Sequence, residues 1–102
     1  MKKALLTLAF PIFLFFNSYS QVPNIEWQKS LGGTSLDGAN SIQPTADGGY
    51  VVAGYSNSND GDVSGNHGSI DYWIVKLDAT GAIQWQKSLG GTSLDGANSI
   101  QP

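Results

Sequence analysis

Between residues 40 and 89 short apolar runs alternate with polar, glycine-rich punctuation, a pattern that predicts four β-strands. The first run is Asn40 to Thr45. It meets the turn Ala46-Asp47-Gly48-Gly49, whose Asp-Gly step suits a tight hairpin. The second run, Tyr50 to Tyr55, is rich in β-branched and aromatic residues. A long polar loop follows, then a third run from Asp71 to Asp78, the turn Ala79-Thr80-Gly81, and a fourth run from Ala82 to Leu89. In the third run Tyr72, Ile74 and Lys76 alternate with Trp73, Val75 and Leu77, so both faces carry large apolar groups and both call for cover. In the fourth, Ile83, Trp85 and Leu89 share an apolar face, Lys87 lying among them, while Gln84, Gln86 and Ser88 share the polar one. The expected fold class is all-β: a four-stranded antiparallel sheet.

The N-terminus breaks this pattern. Lys2 and Lys3 precede an apolar stretch from Ala4 to Phe16, interrupted only by Thr7 and Pro11, and the small residues Ser18 and Ser20 follow. Residues 1–20 thus predict an export signal cleaved after Ser20. A run of 13 residues is too short for a spanning helix, which needs about 20 apolar residues, so no membrane association is expected after cleavage. Without cysteine there is no lipid attachment site at the cleavage point and no disulfide to support a core. The processed chain keeps three lysines, Lys29, Lys76 and Lys87, against eight acids, a net charge of −5. That surface repels phosphate backbones and argues against nucleic acid as a partner.

Internal identity is the strongest signal. Trp27 to Pro44 and Trp85 to Pro102 both read WQKSLGGTSLDGANSIQP, at an offset of 58 residues. Ile25 and Ile83 also align, with Glu26 replaced by Gln84. The expected organisation is a signal at 1–20, a partial repeat at 21–39, one full 58-residue repeat at 40–97, and the start of another at 98–102. Four antiparallel strands per unit, packed face to face with neighbours, describe a β-propeller blade; stacked small sheets or a β-sandwich are the alternatives. Units of this kind need about three or more copies to bury a continuous core. Neighbouring repeats of the same chain are therefore the expected partners, and the chain reads as an N-terminal fragment of a larger protein, about one and a third repeats long.

The segments WQKSLGG, DGANSIQPTADGGYVVAGYS, NDGDVSGNHG and DYWIVKLDATGAIQWQKSLGG together resemble a tandem repeat of large secreted bacterial surface proteins. The resemblance covers nearly the whole processed chain. It implies a propeller-like fold and an association with type IX secretion, and it implies no particular activity.

Candidate chemistry is sparse. The loop DGDVSGNHGSID sets Asp60, Asp62, Ser64, Asn66 and Asp71 at positions 1, 3, 5, 7 and 12 of a calcium-loop spacing, with Gly65 at position 6. Ser64 replaces Asp or Asn, Asp71 replaces the bidentate Glu, and the flanks are strands, not helices; ordinary turn chemistry explains the same residues. The segment Gly32-Gly33-Thr34-Ser35-Leu36-Asp37-Gly38, repeated at 90–96, lacks the Lys and Ser/Thr of a phosphate loop and the fourth-position glycine of a calcium nonapeptide. It reads as a connection in which Asp37 binds local backbone amides. There is no cysteine nucleophile and no G-x-S-x-G elbow, and the one histidine, His67, has no evident orienting partner, so no catalytic residues are expected. Trp27, Trp73, Trp85, Tyr50, Tyr55 and Tyr72 serve either the core or sugar stacking, and their place on predicted strands favours the core. The expected function is a non-enzymatic structural or binding module, secreted or at the outer cell surface. The alternative is a carbohydrate-binding or ancillary module of a glycoside hydrolase.

Overall fold

The computed structural model describes residues 22–102. The expected export signal at residues 1–20 lies outside them. Four strands form one open antiparallel sheet in the order β1-β2-β3-β4: β1 Asp37–Pro44, β2 Tyr50–Ser56, β3 Asp71–Leu77 and β4 Ile83–Leu89. Each coincides with a predicted run. β1 starts three residues before the apolar pattern does, because Asp37 pairs with Ser56 and Gly38 with Tyr55. A bulge at Asn40 then resets the register, so that Ile42 lies opposite Val52.

The two tight turns share one design. Gly48 N–H donates to Thr45 O at 3.0 Å, and Gly81 N–H donates to Asp78 O at 3.1 Å. Both glycines are left-handed, with φ of 83° and 85°, the conformation that closes a short hairpin at little cost for glycine alone. An aspartate carboxylate fixes each turn from inside. Asp47 accepts from Gly49 N–H at 3.0 Å, and Asp78 accepts from Thr80 N–H at 2.8 Å and Ala82 N–H at 3.0 Å.

The main core cluster lies on one face. Trp73, Val75 and Leu77 of β3 are buried there together with Val63 from the long loop. Trp27, Leu31, Tyr50, Val52 and Ile83 complete the cluster. Trp27 meets Tyr50 edge-on at 5.8 Å and lies over Gly81, where any Cβ would sit 2.7 Å from its ring. The segment before β1 and the 57–70 loop thus supply the second layer that a single sheet lacks.

The opposite face is only partly covered. Tyr72 and Leu89 are more than a third exposed and Trp85 is 50% exposed, although Val51 and Ala53 beside them are buried. β4 also departs from its predicted facing. Trp85 pairs with Lys76 but Ile83 pairs with Leu77, and the intervening irregularity sends Ile83 to the covered face alone. Gln86 and Ser88 face inward instead. Trp73 Nε1 donates to Gln86 Oε1 at 2.8 Å, and buried Ser88 donates its hydroxyl to Ser64 O at 3.0 Å. Of the six aromatics expected in the core, Trp73 is buried, Trp27 and Tyr50 pack against it, Tyr55 is half-buried beside Gly38, and Trp85 and Tyr72 face outward.

Candidate interaction site

Two surfaces concentrate unusual chemistry: a rim of carboxylates and hydroxyls at one end of the sheet, and the exposed face of β3 and β4. The rim begins where Asp37, Ser56 and Asp71 stand in register across β1, β2 and β3. Asp37 is its hub. Its Oδ2 accepts from Gly33 N–H at 2.9 Å and from the Ser58 hydroxyl at 3.0 Å, and its Oδ1 accepts from the Ser56 hydroxyl. Ser56 and Ser58 are fully enclosed, so without Asp37 both hydroxyls lose a partner away from water. The 57–62 loop then grips the glycine-rich segment before β1. Asp60 accepts from Thr34 N–H and from the Thr34 hydroxyl, each at 2.8 Å, and Asp62 accepts from Gly32 N–H at 3.0 Å. Ser58 Oγ takes Ser35 N–H at 3.0 Å.

These contacts fix the charge of the rim. The Thr34 amide and then its hydroxyl hold Asp60 below the usual carboxylate range. Around the turns, the Thr45 hydroxyl first, then Lys76 and the Gly49 amide, hold Asp47 far below that range, and the Thr80 hydroxyl leads a similar lowering of Asp78. Lys76 is itself nearly buried, and its ammonium reaches Asp47 at 2.9 Å, Gln84 Oε1 at 2.9 Å and Leu77 O at 2.9 Å. A buried ammonium surrounded by acceptors in this way is paired, as burial requires.

The five residues of calcium-loop spacing take separate partners. Asp60 and Asp62 turn toward residues 32–34, while the Ser64 hydroxyl accepts from Gln86 Nε2 at 2.6 Å. Asn66 Nδ2 donates to Ser56 O and Ser69 O, both at 3.1 Å. Asp71 accepts from His67 through the backbone N–H at 2.7 Å, and its Oδ2 lies 2.8 Å from His67 Nδ1. Among the described residues, no three His, Cys, Asp or Glu side chains converge on one point. Asp71 is fully buried, and its Oδ1 has no hydrogen-bond partner among the described residues.

Sequence reasoning left His67 without an orienting group, and the structure supplies one in Asp71. His67 lies in the long loop and Asp71 begins β3, so no shared periodicity could have marked them as a pair. The role read for Asp37 is present: Asp37 Oδ2 and Asp95 Oδ2 each accept an amide N–H four residues upstream, from Gly33 and Gly91, both at 2.9 Å.

On the exposed face, Tyr72 pairs with Leu89, Ile74 with Lys87 and Lys76 with Trp85, which sets Tyr72, Ile74, Trp85 and Leu89 on one surface. On the covered face, a cleft of about 380 Å³ remains beside β1, bordered by Trp27, Leu31, Ile42, Val52 and Val75, with Asp37 and Lys29 also on its lining. Neither layer is closed. No family model, curated protein or solved structure matches the chain.

Proposed function

We propose that this chain is an exported repeat protein whose sheet stacks face to face with further copies of the same unit, in the manner of a propeller blade. It acts as a structural or binding module at or outside the cell surface. The observation supporting this reading is the outward face of β3 and β4, where Tyr72, Trp85 and Leu89 present adjacent apolar surface to solvent. Burying such surface yields roughly 25 cal/mol per Å², and a second sheet at about 10 Å separation covers it directly. The signal-like pattern of residues 1–20 supports export.

The stacking test compares one unit with three joined in tandem at the 58-residue period. Stacking predicts that the Trp85 equivalents become shielded from acrylamide and that melting sharpens and moves upward. Equal quenching and an unchanged melting temperature in the two proteins contradict it. Export is checked by mass spectrometry of tagged protein from fractionated bacteria: an extracytoplasmic product beginning at Gln21 is expected, and an unprocessed cytoplasmic product contradicts it. A second reading, carbohydrate binding, draws on the exposed Trp85 and Tyr72, since aromatic faces stack on sugar rings. Glycan-array binding abolished by Trp85→Ala would favour it.

A further inference from the structure

We infer that residues 90–102 form a docking surface for a second copy of the Tyr50–Asp62 strand and loop, contributed by a further unit of the same sequence. This rests on the stacked-repeat reading and names one surface and its occupant within it.

Two segments of identical sequence lie in different surroundings in the same molecule. In residues 32–38 the amides of Gly32, Thr34 and Ser35 and the Thr34 hydroxyl are met by the 58–62 loop. Gly32 N–H goes to Asp62, Thr34 N–H and its hydroxyl to Asp60, and Ser35 N–H to Ser58. The glycines there make room for that loop. A Cβ on Gly33 would lie 2.3 Å from Asp60 Oδ1 and 2.5 Å from Ser58 Cβ, and one on Gly38 would lie 2.4 Å from the Tyr55 ring. Residues 90–96 repeat the same sequence without those neighbours. A Cβ on Gly91 or Gly96 would have nothing within 4 Å among the described residues. Thr92 and Ser93, exposed, make none of the bonds of Thr34 and Ser35 among the described residues.

The second segment nevertheless holds the engaged conformation. Gly90 has φ of 147° where Gly32 has 140°. Asp95 Oδ2 lies 2.5 Å from the Cβ position of Gly90, as Asp37 Oδ2 does from that of Gly32. The internal bond from Gly91 to Asp95 matches the bond from Gly33 to Asp37 at 2.9 Å. An acceptor already in its bound shape gives up little conformational entropy on association. Beyond it, Asn40 Nδ2 donates to Ala97 O at 2.6 Å, which holds the start of the following segment against β1. The occupant follows from what residues 32–38 already hold: a β-strand ending in a tyrosine, then a Ser-x-Ser-x-Asp-x-Asp loop whose carboxylates accept from amides and a threonine hydroxyl. Within the chain, Tyr50–Asp62 is engaged by residues 32–44, so the occupant comes from another unit.

The probe is a fluorescent peptide of sequence TADGGYVVAGYSNSNDGD, residues 45–62, titrated into the whole protein. Saturable one-to-one binding is expected. It should weaken by about tenfold or more, the equivalent of about 1.4 kcal/mol, when the peptide's two loop aspartates become alanine. The same loss is expected for the protein carrying Gly91→Leu and Gly96→Val. Neither glycine has a positive φ, and both face open space, so this variant keeps the parent's melting temperature. Absence of binding at millimolar peptide, or binding unchanged in the glycine variant, overturns the inference. If tandem units still shield Trp85 while the peptide fails, stacking stands and this surface does not.

Discussion

Residues 25–44 and 83–102 share almost every side chain and almost no structure. In the first copy Trp27 and Leu31 lie outside the sheet and cover its core, whereas the second copy's equivalents, Trp85 and Leu89, sit in β4 facing solvent. Asp37–Pro44 is β1, whereas residues 95–102 form no strand. Propensity is identical in the two, so what differs is the neighbour. Asp37–Pro44 has β2 to pair with, and Ile83–Leu89 has β3. Strand formation here is a property of the pair, as expected when β-propensity mostly reports packing against a cross-strand partner. The one element of both copies that survives the change of context is the glycine turn with its aspartate. It is local, and needs no partner.

Matched substitutions sharpen this contrast. The largest effect is expected from Gly33→Val or Gly38→Val, which drive a side chain into Asp60 and Ser58 or into the Tyr55 ring and should cost about 3 kcal/mol. The same changes at Gly91 and Gly96 should stay within about 0.5 kcal/mol. Urea denaturation of the four variants measures both, and equal losses in the two copies would erase the distinction.

Asp37→Ala comes next. Removing the acceptor for two enclosed serine hydroxyls and the Gly33 amide should cost about 2 kcal/mol, against about 0.5 kcal/mol or less for Asp95→Ala.

How much of this was legible beforehand depended on range. All four strands and both turns were readable, because period-two alternation and Asp-Gly or Thr-Gly steps are local signals. The inward turn of Gln86 and Ser88 was not, since it follows from the irregularity opposite Lys76 and Leu77, which no residue in β4 announces. Asp60 and Asp62 were singled out for their spacing, yet their partners lie 26 and 30 residues away in a segment chosen by topology. His67 and Asp71 went unpaired for a similar reason: the loop that joins them has no periodicity to read.

The smallest expected effect is in acid. Asp47, Asp60 and Asp78 all have folded-state values below the ordinary 3.8. Lowered folded values mean that the stability they contribute is present in full above about pH 4 and disappears as pH falls through those values. Thr34→Val removes one of Asp60's two donors and should make the acid limb shallower, whereas Thr92→Val should leave it unchanged. Melting temperatures between pH 2 and 6 provide the check.

Hydrogen exchange tests most directly whether the neighbour decides the structure. In a chain extended after Pro102 by another copy of residues 45–89, the amides of 95–102 should become as protected as those of Asp37–Pro44, while in the present chain they should exchange faster than those of Asp37–Pro44. If 95–102 exchange equally fast in both proteins, supplying the partner strand does not make the strand, and the account fails.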